Sequence, residues 1–275
     1  MRVPEFRLER YMALYEFSAR RLLCCSDCET MSVRELLSLE EGAAEAFGDL
    51  RLGYTESPGG LRLREEIARL YRNIGPEDVL VHTGAEEAVF LFMNAVLEPG
   101  DHVVVQWPCY QSLFEVARSL GGRVTMWAAR EAEGWRPDLA DLEKALRPDT
   151  KLLVINSPHN PTGALLGPEE VNFIKERAEA SGFLVFSDEV YRFLEYDPAD
   201  RPPPFCDLTE RAVSLGVMSK SFGLAGLRLG WLAAGNREVL RAVAGLKDYT
   251  TICNPAPSEF LAALALRQRD RSVGR

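Results

Sequence analysis

Short apolar runs alternate with amphipathic segments through the middle of the chain. Runs with the length and composition of buried strands occupy residues 79–83, 102–107, 123–127, 151–156, 183–188 and 212–217. Segments with helical spacing of apolar residues separate most of them, at residues 86–97, 110–120, 138–146 and 168–181. This alternation predicts an α/β fold with a mostly parallel sheet that helices cover on both faces.

The N-terminal part of the chain shows helical patterns without strands between them. Residues 8–23 have helical apolar spacing, and residues 61–76 form a second such segment that ends in glycine and proline. Ser32 and Glu35 have the spacing of a capping box at the start of a helix over residues 33–47. We therefore expect a helical segment ahead of the sheet.

Charge and hydropathy exclude several classes of partner. The net charge is −9 and no basic patch is visible, so we expect no nucleic-acid partner. The longest apolar run, residues 88–97, is too short to cross a bilayer, and we expect no membrane association. The N-terminus carries charges throughout and lacks the apolar core of a signal peptide, which predicts a cytoplasmic protein.

The cysteines do not form a recognisable metal motif. Their positions are Cys24, Cys25, Cys28, Cys109, Cys206 and Cys253. The stretch "CCSDC" contains one C-x-x-C, but no second one follows, and the histidines are scattered. We therefore expect no metal site and interpret the cysteines as reduced thiols.

Polar residues follow several of the predicted strands at their carboxyl ends, where α/β folds bind ligands. The first strand runs into Gly84 and a helix start, which forms either an anion site or an ordinary turn. Tyr110 follows the second strand, and its ring could stack on a flat ligand or simply pack. Asn156 and Asn160 follow the fourth strand, in the turn-rich stretch "NSPHNPTG", and offer side-chain amides.

The last two predicted strands carry the strongest signals. Asp188 and Glu189 end an apolar run, where a buried carboxylate needs a cation or several donors, as in a bound ligand or a core salt bridge. The next strand leads into "SKSFGLAGLRLGW", where Lys220 and Arg228 lie among apolar residues and glycines without a carboxylate. Such surroundings predict that Lys220 is an uncharged amine.

One ligand would use all of these groups. The nucleotide and hydrolase motifs G-x-G-x-x-G, the Walker loop and G-x-S-x-G do not occur in the sequence. What remains is a phosphate-binding turn, an aromatic ring, amides, a carboxylate and two cations. This set fits a flat aromatic aldehyde that carries a phosphate, which describes pyridoxal 5′-phosphate (PLP).

The order of these motifs resembles a known family. The stretches "YTESPGGLRLRE", "TGAEEAV", "PCYQSL", "NSPHNPTG", "SDEVYRFL" and "SKSFGLAGLRLGW" resemble the class I/II aminotransferases of PLP fold type I, the aspartate aminotransferase-like proteins. The resemblance implies the large domain of that fold, a mostly parallel seven-stranded sheet flanked by helices, with the C-terminal small domain largely missing. It also implies PLP as the cofactor.

The resemblance also implies a role for each site residue. Lys220 would form the internal aldimine with PLP and later move a proton at the substrate's α-carbon, with Asp188 and Tyr191 as the other catalytic residues. Asp188 would face the pyridine nitrogen, Asn160 and Tyr191 the ring hydroxyl, and Tyr110 the ring face. The phosphate would contact Gly84, Ala85, Glu86, Ser219, Arg228 and, from the neighbouring subunit of a homodimer, Tyr54.

The resulting expectation is an enzyme of amino-acid metabolism that exchanges an amino group between an amino acid and a 2-oxo acid. The alternatives are other PLP chemistry, such as β-elimination or the oxidation or cyclisation of an amino acid, and a PLP-binding protein without full activity. We divide the chain into a helical segment (1–49), the PLP-binding domain (50–250) and the start of a C-terminal helix (251–275). No arginine is assigned to the substrate carboxylate. Residues 25–30 form either a substrate-facing loop or a plain helix–helix connection.

Overall fold

The computed structural model describes residues 2–273, so Met1, Gly274 and Arg275 of the predicted terminal segments lie outside the described residues. The helices are α1 (Arg7–Tyr15), α2 (Val33–Leu37), α3 (Ala43–Gly48), α4 (Leu61–Ala68), α5 (Ala85–Val96), α6 (Ser112–Ser119), α7 (Leu139–Ala145), α8 (Pro168–Ser181), α9 (Arg237–Lys247), α10 (Ala256–Arg267) and α11 (Arg269–Val273). The strands are β1 (Val79–His82), β2 (His102–Trp107), β3 (Arg123–Ala128), β4 (Thr150–Asn156), β5 (Leu184–Asp188), β6 (Ala212–Val217) and β7 (Gly230–Ala233).

The strands form one seven-stranded sheet in the order β1-β7-β6-β5-β4-β2-β3. Strands β2 to β6 run parallel to one another, whereas β7 is antiparallel to both of its neighbours, β1 and β6. The predicted α/β fold with a mostly parallel sheet is therefore confirmed. Because β4, β5 and β6 are parallel neighbours, their carboxyl ends meet at one edge, where Asn156 pairs with Asp188 and Asp188 with Leu215.

Helices bury both faces of this sheet. Helices α5, α6 and α9 pack on one face, with Phe92 and Phe186 in ring contact at 4.6 Å in that core. On the other face, α7 and α8 cover β2, β4 and β5, and α4 and α10 cover β1 and β7. The strands are buried on both sides, which explains why they are almost continuously apolar in sequence.

The N-terminal helices are shorter than the sequence pattern predicts. The helix expected over residues 8–23 ends at Tyr15, because α1 buries none of its residues and gains little from packing. The helix expected over residues 33–47 is two helices, α2 and α3, separated by a turn in which Gly42 has a φ of +74°. The capping box of Ser32 and Glu35 is confirmed, with both of its hydrogen bonds present.

The sequence pattern did not predict two elements of the sheet region. Strand β7 is only four residues long and begins at Gly230, so it lacks the run of β-branched residues that marked the other strands. Helix α9 follows it and was not indicated either. Within residues 2–273, no helix combines the length and the apolar character needed to cross a membrane.

Candidate active site

A cavity of about 510 Å³ opens at the carboxyl ends of β4, β5 and β6. Its walls are the start of α5, the loop between β6 and β7, helix α1 and the segment 24–27. The residues proposed from the sequence that line it are Ala85, Glu86, Tyr110, Asn160, Asp188, Tyr191, Ser219, Lys220 and Arg228. Side chains from five separate parts of the chain therefore face one space.

One corner of the cavity presents groups that favour an anion. Gly84 is the N-cap of α5 and has a φ of +85°, and the guanidinium of Arg228 lies against it. A Cβ atom at this position would lie 2.7 Å from Arg228 Nη2, so only glycine fits here without displacing the arginine. The free N–H groups at the start of a helix and a guanidinium together favour a phosphate or similar group.

Asp188 lies buried at the end of β5. Burial, as the largest cause, raises its pKa to about 7, although the backbone N–H of Val190 donates a hydrogen bond of 3.1 Å to Oδ1. Asn156 donates to the Asp188 backbone carbonyl at 2.9 Å and thereby fixes the strand end. In the part of the chain that the structure describes, no lysine, arginine or histidine forms an ion pair with Asp188.

Asn160 and Tyr191 meet in the wall of the same cavity. Asn160 Nδ2 donates to the Tyr191 hydroxyl at 3.1 Å, and the backbone N–H of Asn160 donates to Asn156 Oδ1 at 2.7 Å. The Tyr191 hydroxyl donates in turn to Ser26 Oγ at 2.9 Å. Burial raises the pKa of Tyr191, so its hydroxyl keeps its proton near neutral pH.

Lys220 is paired with a carboxylate, contrary to the sequence-based expectation. Its Nζ donates to Asp27 Oδ1 at 2.8 Å and to Ser26 Oγ at 3.3 Å, and it lies 5.9 Å from the Tyr191 ring centroid. Burial alone would lower the pKa of Lys220, but the hydrogen bond and charge of Asp27, together with nearby groups, leave the pKa raised. In this state Lys220 is therefore an ammonium group, and the expectation of an uncharged amine was wrong.

Tyr110 forms one wall of the cavity. Its hydroxyl donates to Glu9 Oε1 at 2.5 Å, and its ring packs against Phe6 with centroids 5.0 Å apart. Burial, with a further contribution from the Glu9 hydrogen bond, raises the pKa of Tyr110. Glu86 is turned aside, because its Oε1 accepts a hydrogen bond of 3.1 Å from Ser112 Oγ.

Tyr54 is the one predicted contact that lies away from this cavity. Its side chain is 93% exposed on a surface formed with Leu52, Cys253 and Pro255. That position is compatible with the expected reach into a second subunit, and the role of Tyr54 stays a prediction.

The sequence pattern did not identify Ser26, Asp27 and Glu9 as site residues. Asp27 is 193 positions from Lys220 along the chain, so no local pattern could pair them. The only signal was the polar stretch at residues 25–30, interpreted as either a substrate-facing loop or a connection. The structure places Ser26 and Asp27 in the cavity wall.

The residues present fit the phosphorylated aromatic aldehyde expected from the sequence. The corner at Gly84 offers backbone N–H groups and a guanidinium to a phosphate, and Asp188 is a buried acid without a cation. A cationic ring nitrogen would supply that missing partner. Among residues 2–273, no group of three or more potential ligand residues could hold a metal ion.

Comparison with known proteins points to one family. The family model described as aminotransferase class I and II matches residues 23–272. A probable N-succinyldiaminopimelate aminotransferase, DapC, of Mycobacterium tuberculosis is 36% identical over 80% of this chain and 57% of its own length. Capreomycidine synthase of Streptomyces vinaceus is 31% identical over 98% of this chain and 70% of its own length.

Solved structures agree with these sequence matches. A crystal structure of a PLP-dependent aminotransferase from Streptococcus suis superposes with a TM-score of 0.94 at 31% identity, covering 100% of this chain and 74% of that one. The chain spans 57–62% of the length of the first curated relatives, which therefore extend well beyond the matched region.

Proposed function

The chain belongs to the class I and II aminotransferase family, and from this premise we propose that it transfers an amino group between an amino acid and a 2-oxo acid. The family has PLP as its cofactor and the type I fold. One observation carries the proposal: Asp188 at the end of β5 lines the same cavity as Lys220 and Arg228, which come from the loop between β6 and β7.

The cavity residues assign a place to each part of PLP. Arg228, Ser219 and the backbone N–H groups of residues 84–86 would hold the phosphate. Asp188 would face the ring nitrogen, and Asn160 with Tyr191 the ring hydroxyl. Tyr110 would cover a ring face, and Lys220 would be the point of covalent attachment.

When bound, PLP supplies an electron-withdrawing ring that stabilises negative charge at the α-carbon of an amino acid. The protein's own task is to orient groups and move protons. Asp188 would hold a negative charge beside the ring nitrogen, and the Asn160–Tyr191 hydrogen bond fixes two donors in place. The Lys220 amine would take the proton from the substrate's α-carbon and hold it at Nζ, which requires that the amine first be released from its pairing with Asp27.

The proposal is tested by the visible absorption of the purified chain mixed with PLP, with Lys220→Ala in parallel. We expect a band that depends on Lys220 and that bleaches when an amino acid is added. A 2-oxo acid should then restore the band. A chain without a Lys220-dependent band would overturn the proposed function.

The match to capreomycidine synthase favours a second candidate, other PLP chemistry on an amino acid. That match extends over nearly the whole chain, whereas the match to DapC covers 80% of it. The two activities share all cofactor contacts. Product analysis separates them, because only transamination requires a 2-oxo acid to regenerate the starting form.

We also propose that the protein is a cytoplasmic homodimer. The exposed surface around Tyr54 contains Leu52 and Pro255, and Tyr249 and Ile252 shortly before it in the chain are exposed as well. Such apolar residues are expected where two subunits meet. The cysteines in residues 2–273 are all free thiols, which suits a reducing compartment.

A further inference from the structure

Carboxylates outnumber cations in the wall of the cavity. The acidic side chains that line it are Glu9, Glu16, Asp27, Glu86 and Asp188, and the basic ones are Lys220 and Arg228. Lys220 pairs with Asp27, and within residues 2–273 neither Glu9 nor Glu16 forms an ion pair. The cavity is therefore acidic even before any ligand is considered.

Cofactor binding would make the substrate side of the cavity more acidic. If the proposed function holds, the phosphate of PLP pairs with Arg228 and the ring nitrogen pairs with Asp188. Lys220 would first give up a proton to solvent, and its Nζ would then bond to the aldehyde carbon, whose oxygen leaves as water, so that no free ammonium group remains. Asp27 then loses the cation that now lies 2.8 Å from its Oδ1, while Glu9 and Glu16 remain in the cavity wall.

We infer that Asp27 is a specificity-determining residue, and that it selects amino acids with a positively charged side chain. The inference rests on the proposed function and deepens it by naming the substrate class. An ammonium or guanidinium group of the substrate replaces the Lys220 ammonium as the partner of Asp27. A side-chain carboxylate finds no free cation among the described lining residues and meets Asp27 and Glu16 instead.

The position of Asp27 suits this role. A reacting amino acid must bring its α-carbon to Lys220 Nζ, which lies 2.8 Å from Asp27 Oδ1. The side chain of the amino acid therefore begins close to the Asp27 carboxylate. The Asp27 side chain is 43% exposed, which places it where the cavity meets solvent and where a long side chain would extend. Ser26, which accepts from Tyr191, holds the segment against the site.

The test measures binding with matched amino acids. The PLP-loaded chain is titrated with arginine and its neutral isostere citrulline, with lysine and ornithine, and with glutamate and its neutral isostere glutamine. Apparent dissociation constants come from the change in the visible spectrum, and calorimetry on PLP-loaded Lys220→Ala gives them without turnover. We expect arginine to bind at least about tenfold more tightly than citrulline, and glutamate more weakly than glutamine.

Three variants assign the preference to Asp27. Asp27→Asn should bring arginine and citrulline to within about threefold of each other, since only the charge is removed. Asp27→Glu keeps the charge and should retain the preference. Glu41→Gln removes an equal charge from an exposed position outside the cavity and should change nothing.

The outcomes separate this inference from the proposed function. A Lys220-dependent PLP band with equal binding of cationic, neutral and anionic amino acids overturns the inference alone. The same holds if Asp27→Asn keeps the arginine preference, with thermal unfolding confirming that the variant is folded. Loss of the PLP band in the unmodified chain overturns the proposed function and the inference together.

Discussion

At the scale of the residue, Asp188 is a buried acid that the cofactor-free chain leaves without a cation. Below about pH 4 its carboxyl group is protonated in the folded and the unfolded chain alike. Between that pH and its folded pKa of about 7, the folded chain holds a proton that the unfolded chain has lost. The free energy of unfolding therefore falls as the pH rises through this window, by about 1.4 kcal/mol per unit.

Asp188→Asn should remove this pH dependence. We expect the variant, relative to the unmodified chain and without PLP, to gain up to about 2.5 kcal/mol of unfolding free energy between pH 5 and pH 8. Chemical denaturation at the two pH values measures it. Asp200→Asn, in the exposed turn after β5, is the control. An equal pH dependence in Asp188→Asn and the unmodified chain would contradict the assigned pKa.

The same substitution should have the opposite effect on activity. A carboxylate beside a ring cation is worth about 4 kcal/mol at 4 Å and an effective dielectric near 20, before desolvation is subtracted. If half of that remains, Asp188→Asn lowers turnover by at least about tenfold. Steady-state kinetics with saturating PLP measures the loss. Near-normal turnover would show that Asp188 does not act on the ring nitrogen.

Lys220 shows what residue-level reasoning from sequence can and cannot supply. Its identity and its place after β6 followed from the chain pattern. Its protonation state did not, because the carboxylate that sets it comes from Asp27, 193 positions away. Local sequence shows which side chains a segment carries but not which charges the fold brings to it.

At the scale of the element, the turn between β1 and α5 depends on one glycine. Gly84→Ala would strain the backbone at φ +85° and place a methyl group against Arg228 Nη2. We expect the affinity for PLP to fall at least about tenfold, since the arginine must leave its position beside the helix start. Equilibrium titration of PLP, followed by absorbance, measures the change.

Gly42→Ala is the matched control for that substitution. Gly42 also precedes a helix, with a φ of +74°, but an added Cβ there meets nothing within 4 Å. Gly42→Ala should lose about 1 kcal/mol of stability from its left-handed backbone, and Gly84→Ala should lose more, because its ψ of 169° lies in a region that is essentially restricted to glycine. Only Gly84→Ala should lose affinity for PLP, and an equal loss in both variants would argue against an anion site at Gly84.

The sequence pattern predicted the limits of an element correctly where the packing of that element's own residues determines them. Helix α8 matches the predicted residues 168–181, since its amphipathic pattern is bounded by Pro168 and Gly182 and its apolar face packs on the sheet. Helix α1 has an equally helical pattern but buries nothing, so its length was overestimated. Strand β7 is set by its two antiparallel neighbours and not by its own composition.

At the scale of the whole molecule, the proposed homodimer has a sharp test. If Tyr54 serves the neighbouring subunit, a Tyr54→Phe chain and a Lys220→Ala chain should complement each other. A mixed dimer would contain one site with Lys220 from one chain and Tyr54 from the other. We expect Tyr54→Phe to weaken PLP binding by several-fold, and refolding the two variants together to restore tight binding in part of the sites. No recovery on mixing would contradict a shared site.

The exposed excursion between β5 and β6 divides the site between two lengths of chain. The turn Pro198–Asp200 separates Asn160, Asp188 and Tyr191 from Lys220 and Arg228, and residues 196–200 are all exposed. A break in the peptide at this turn would leave neither fragment with a complete set of cofactor contacts. The visible absorption of bound PLP would then show that two coexpressed fragments had assembled. This turn is therefore a position at which the chain could be divided to make a split reporter.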